Sequence, residues 1–151
     1  MKNVFVIMSM LLSLGLFCGC SSDNEDGIEA VSVDSRLCHT WQMIGYGSDQ
    51  DFHVGDGVHD VIFAHITFNS DGTYKSYANN NSGSGEYDCK DNQLLIVNYH
   101  ATKVETNNPV DWFVEETLFH NHTTYRNFIV SDTELRIYYE GDQYFKFYKK
   151  D

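Results

Sequence analysis

The sequence predicts an all-β protein, a small antiparallel up-and-down β-barrel of about eight strands. Three observations lead there. Short runs rich in Val, Ile, Phe, Tyr and Thr alternate with Gly, Asn, Asp and Ser clusters, the pattern of strands separated by turns. Pro109 is the single proline, and no long segment places apolar residues at helical spacing. The runs, about eight or nine in number, follow one another through short loops, and consecutive antiparallel strands of that kind close most readily into a ring that has no edges.

Taken in order, Cys38 to Tyr46 is the first run and sets Trp41 and Met43 on one face. Gly47 to Asp60 reads as a Gly- and Asp-rich loop. From Val61 to Asn69, Ile62, Ala64, Ile66 and Phe68 point one way, while Phe63, His65 and Thr67 point the other. Ser70-Asp71-Gly72 then supplies a hairpin turn, since Gly takes the positive φ of a tight reversal, and the chain returns as Thr73 to Tyr77. Asn79 to Gly85, almost wholly Asn, Ser and Gly, reads as a second loop. Glu86 to Cys89 is a short strand that Lys90-Asp91-Asn92 turns into Gln93 to Tyr99. The centre of that strand, Leu94 to Val97, is apolar on both faces, so it is expected to be covered on two sides. Thr102 to Asn108 is a polar connector. Val110 to Phe119 is expected as a strand with Trp112, Val114 and Leu118 on one face, and Thr124 to Ser131, Glu134 to Glu140 and Tyr144 to Lys149 close the chain.

Ahead of these runs, Met1 to Gly19 carries one positive charge, Lys2, and an apolar stretch from Val4 to Phe17. That stretch is too short for an ordinary membrane span and reads as a signal peptide. Phe17-Cys18-Gly19-Cys20 resembles the bacterial lipobox, with small Gly19 before the modified thiol and Phe17 where Leu is usual. The resemblance implies cleavage before Cys20 and lipid attachment to its sulfur. Ser21 to Gly27 is polar and acidic and cannot bury enough apolar surface to order itself, so residues 20–35 form a tether and residues 36–151 one domain. The Ser and acid cluster behind Cys20 is similar to the signal by which Bacteroides-type bacteria move lipoproteins to the outer face of the outer membrane, which implies an outer-membrane, lipid-anchored and surface-exposed location.

A formal net charge of −12 repels phosphate backbones and anionic lipid surfaces, which argues against nucleic acid and against peripheral membrane binding beyond the anchor. Two of the four cysteines, Cys38 and Cys89, belong to the folded part. In an exported protein they either pair as a disulfide or stand as two small buried apolar side chains.

The segments Leu37 to Trp41, Ile66 to Tyr74, Ser84 to Tyr87 and Asp132 to Leu135 together resemble the lipocalin-like domains of Bacteroides-type lipoproteins, although His39 stands where a lipocalin usually has Gly. The resemblance implies a barrel that binds a small apolar or amphipathic molecule in a cavity lined by Trp41, Phe68, Tyr74 and Trp112. Glu116 interrupts an apolar face and Arg126 shares one with Phe128 and Val130, so in an open barrel these two would pair inside the pocket. In a filled barrel both would sit at strand ends in water. Aromatics, 15% of the chain, stack on flat or sugar-like ligands but are also favoured by strands. The alternative is an interaction module, a filled barrel whose surface contacts a protein or glycan, as an accessory of an outer-membrane uptake complex.

No cofactor or metal is expected. His120 and His122 would share a side of an extended segment, but no third ligand is near in sequence. The Asp- and His-rich loop from Asp49 to Asp60 lacks the spacing of a calcium loop and is expected as a mobile loop over a barrel mouth. Nucleophile elbows, zinc-protease motifs and phosphate-binding glycine loops are missing from the sequence. Glu115 and Glu116 are expected on opposite sides of a strand, unable to share a substrate, so no enzymatic activity is expected.

Overall fold

The computed structural model describes residues 31–54, 64–78, 80–104, 109–120 and 122–150. The signal segment, Cys20 and most of the tether lie outside these residues. Among the described residues, nine strands form one antiparallel sheet: β1 (Thr40–Gly47), β2 (Phe52–Val54), β3 (Ala64–Phe68), β4 (Thr73–Ala78), β5 (Asn81–Lys90), β6 (Gln93–Ala101), β7 (Arg126–Val130), β8 (Glu134–Glu140) and β9 (Gln143–Lys150). Strands β3 to β9 pair in sequence order, and β1 bridges β3 and β9, so eight strands close into a ring. The closing pair runs from Thr40 opposite Lys150 to Gly47 opposite Tyr144. The ninth strand, β2, lies outside the ring against the second half of β1, Gly45 facing Val54.

Alternation drives the closure. Trp41 and Met43 of β1, Ala64, Ile66 and Phe68 of β3, Leu94 and Ile96 of β6, Leu135 and Ile137 of β8, and Phe145 and Phe147 of β9 are buried in one core. Burying each large side chain contributes about 1.5–3 kcal/mol. The polar atoms carried inward by the largest rings are satisfied. Trp41 Nε1 donates to the Leu37 carbonyl at 2.8 Å, Tyr74 to the Phe119 carbonyl at 3.2 Å, and Tyr87 to the Asn69 carbonyl at 2.7 Å.

The expected hairpins form. Gly72 adopts φ +82°, and Asp71 accepts from the Thr73 amide at 2.9 Å. Asp91 and Asn92 have φ of 51° and 60°, both left-handed, as a two-residue turn of the twist-matched type requires. Leu95 and Val97 are half-buried where coverage on both faces was expected of β6. Cys38 and Cys89 are free thiols, Cys89 buried and Cys38 half-buried.

Three expectations are corrected. The loop from Gly47 contains β2, which folds back so that Phe52 stacks on Tyr144, ring centroids 5.7 Å apart, and shields an outward-facing ring of β9. The Asn79 to Gly85 loop is instead the first half of β5. Its glycines face inward for packing: a Cβ on Gly83 would lie 2.5 Å from the Tyr99 ring, and one on Gly85 would lie 2.7 Å from the Val97 carbonyl and 2.8 Å from the Tyr74 ring. The segment Val110 to Phe119 is not a strand but a short helix α1 (Pro109–Val114) running into a π-helical turn (Glu115–Phe119). Pro109 is suited to a first helical position because its fixed φ is preset and its missing N–H is unneeded there.

That helical segment plugs a gap. Strands β6 and β7 share only two register pairs, Gln93 with Asn127 and Leu94 with Arg126. Above them Leu118 and Phe119 are buried in the core, and the His122 amide continues the ladder by donating to the Ile96 carbonyl at 2.8 Å.

Candidate functional site

The helical segment and the adjoining ends of β5 and β6 enclose a cleft of about 590 Å³ lined by Asn81, Tyr99, Ala101, Thr102, Lys103, Val104, Trp112, Glu115, Glu116 and His120. Its shape follows from helix geometry, on which residues four apart share a face, so that Trp112 goes with Glu116 and Val114 with Leu118. Val114 and Leu118 are buried at 1% and 0% exposure, whereas Trp112 is 62% exposed and lines the cleft together with Glu116.

The cleft's back wall is built around Asn81, itself only 6% exposed. Its amide nitrogen donates to the Val104 carbonyl and to Glu115 Oε2, each at 3.1 Å. Its oxygen accepts from the Val104 amide at 2.7 Å and the Thr102 hydroxyl at 3.3 Å. One side chain thus fixes the outgoing end of β6 against the start of the π-helical turn. The Tyr99 hydroxyl donates to Glu115 Oε1 at 3.5 Å, and burial, reinforced by the Glu115 carboxylate, raises its pKa. Glu116 lies 3.7 Å from His120 Nδ1, and the Tyr99 and His120 rings are 5.4 Å apart. The result is a fixed polar wall beside an exposed indole, a surface able to stack on one flat face and exchange hydrogen bonds around it.

The expected cavity residues do not meet in one pocket. Trp41, Phe68 and Tyr74 are fully buried in the core, and none of them lines a described cleft. Trp112 stands outside the ring because its segment is helical. Glu116 and Arg126 do not pair: Glu116 faces His120, while Arg126, half-buried, donates to the Thr117 carbonyl, where a cation satisfies the end of a helical turn. Glu115 and Glu116 line the same cleft, contrary to the opposite sides expected of a strand.

His120 and His122 diverge, the first exposed and the second 8% exposed. His122 Nε2 lies 3.0 Å from the Leu118 carbonyl, and its Nδ1 has no partner among the described residues. No group of three metal-ligating side chains occurs among the described residues. In the Asp-rich loop, Asp49 accepts from Tyr144 at 2.7 Å and from Arg136 at 3.2 Å, while residues 55–60 lie outside the described residues. Sequence reasoning missed Asn81 and Tyr99, whose roles depend on contacts across more than twenty and more than ten positions respectively.

A closed eight-stranded antiparallel barrel with a helical plug and one outlying strand defines the class of protein. Solved structures resemble its overall fold. A DUF4847 family protein from Bacteroides vulgatus ATCC 8482 matches with a TM-score of 0.55 at 17% identity, over 78% of this chain and 97% of that one. A protein from Burkholderia xenovorans matches with a TM-score of 0.58 at 14% identity, over 81% and 94%. At these identities the likeness is one of fold. No family model and no curated protein matches the chain.

Proposed function

We propose that this chain is an exported lipoprotein, held at the outer membrane by lipid on Cys20, whose lipocalin-like barrel is a solid scaffold for a non-catalytic glycan-binding cleft. The apolar segment and lipobox-like Phe17 to Cys20 support the anchor. The closed barrel supports the lipocalin-like kinship. The observation that carries the binding reading is Trp112, 62% exposed at the cleft while the apolar Val114, Leu118 and Phe119 of the same segment are buried.

A small apolar molecule inside the barrel is disfavoured by the packing of Trp41, Phe68 and Tyr74, which occupy the space such a ligand would need. The interaction-module alternative fits better. Trp112 offers an apolar plane, and Glu116, His120, Lys103 and Thr102 offer donors and acceptors around it, the pairing that suits a sugar ring's C–H face and its hydroxyls. A net charge of −12 selects against polyanionic glycans and nucleic acids.

The test uses the mature soluble domain on an array of neutral glycans. Trp112→Ala is expected to change stability by less than about 0.5 kcal/mol, as for other exposed positions, while abolishing array binding. Unchanged binding by Trp112→Ala, or no binding by the wild type, would refute the cleft. For the anchor, Cys20→Ser is expected to release the full chain into the soluble fraction, and its retention with membranes would refute lipid attachment there.

A further inference from the structure

The outer face of β3, β4, β5 and β6 carries two rungs set by strand register. His65 opposes Tyr77, which opposes Ser82. Thr67 opposes Lys75, which opposes Ser84, which opposes His100. Alternation turns all of these outward, because Ile66, Ser76 and Ala78 between them are buried. The small side chains of Ser82 and Ser84 leave a shallow groove of about 560 Å³, bounded by His65, Tyr77 and Lys75 on one side and His100 on the other.

Its chemistry repeats that of the cleft beside the helix. The His65 and Tyr77 rings stack with an interplanar angle of 17° and centroids 5.2 Å apart, forming a second aromatic platform. The serines and Thr102 supply hydroxyls around it. Ala101 and Thr102 line both the groove and the cleft, so the two depressions meet along the end of β6. That ridge is fixed: Thr102 N donates to the Ser82 carbonyl at 2.9 Å, and Ser82 N donates to the Thr102 hydroxyl at 3.0 Å.

We infer that groove and cleft form one continuous track for an extended neutral glycan, with Trp112 as the platform at one end and the His65–Tyr77 stack at the other. Three strand spacings separate β3 from β6, roughly 14 Å, a span that one sugar ring cannot bridge and a chain of them can. The lining mixes Lys75, His65 and His100 on the groove side with Glu116 on the cleft side. Neither a polyanion nor a polycation meets a uniform field along it, whereas an uncharged polyhydroxyl chain meets donors and acceptors throughout. The inference rests on the glycan reading of the cleft and adds to it the ligand's length and direction.

The test measures binding of the mature domain to short and long members of each neutral series on the array, from disaccharide to octasaccharide, followed by titration of the bound series. Long members are expected to bind roughly tenfold or more tightly than disaccharides, because a second contact on a tethered chain forms at high effective concentration. Tyr77→Ala and Ser84→Glu, both at exposed positions, are expected to remove the length advantage and leave disaccharide binding at Trp112 intact. Affinity independent of length, or a length advantage that survives both substitutions, overturns the track while leaving the cleft standing. Absence of binding by every member overturns both.

Discussion

Asn81 and Glu115, on separate elements of the fold, are joined by a 3.1 Å hydrogen bond from amide nitrogen to carboxylate, and this contact fastens the helical segment to the sheet. Replacing Asn81 by Leu leaves the Glu115 carboxylate and the Val104 amide short of a partner, at an expected cost of about 1–3 kcal/mol. Asn81→Asp is expected to cost more at neutral pH, because it sets a second carboxylate against Glu115. Urea unfolding of both variants against wild type at matched pH checks the order, and equal losses for the two at neutral pH would contradict the proposed charge geometry.

The glycines of β5 give a graded prediction. Gly85→Ala drives a Cβ toward the Val97 backbone carbonyl at 2.7 Å, whereas Gly83→Ala meets the Tyr99 ring and the Ser76 hydroxyl, which are side chains. Overpacking of this kind costs about 1–3 kcal/mol, with Gly85→Ala expected the larger because backbone yields less readily. At Gly141, φ is +55° but nothing lies within 4 Å, so Ala there costs only about 1 kcal/mol of left-handed strain. Thermal or urea midpoints for the three variants should fall in that order.

His122 makes stability depend on pH. Burial, then the nearby Arg126 charge, lower its pKa from 6.5 to about 4. The native state therefore refuses a proton that the unfolded chain accepts. Stability is unaffected by this group above pH 6.5, falls as the pH drops toward 4, and levels off below, for a total of about 3 kcal/mol. His122→Gln keeps a donor for the Leu118 carbonyl and removes the titration. The variant's urea midpoint should change less than that of wild type between pH 7 and pH 4.5, and parallel profiles would sink the assignment.

Much of the barrel was legible because it is locally written. Asp71-Gly72 and Asp91-Asn92 mark hairpins through residues that tolerate positive φ, and the alternation of Ala64, Ile66 and Phe68 identifies the core face of β3. Asn81 to Gly85 was not legible, because its composition is that of a loop while its strand is dictated by distant rings, Tyr99 and Tyr74, that occupy the room the glycines leave. The helical segment was misread because the spacing of Trp112, Val114, Glu116 and Leu118 satisfies both a two-residue period and a pair of i, i+4 contacts. Only the narrow gap between β6 and β7 decides between them. For the same reason the sequence pattern points Trp112 and Glu116 into the ring, whereas the structure sets them beside it.

The sparse pairing of β6 with β7 makes that joint the ring's weakest, with two register pairs where β5 and β6 have seven. Most of its closure is delegated to a side-chain latch, Leu118 and Phe119, rather than to a ladder of amides. Breathing motions should begin there, so the amides of residues 122–128 are the ones to exchange with deuterium through local opening. The proposed cleft thus adjoins the portion of the circumference that loosens most easily, and a ligand held there would tighten the ring at that joint.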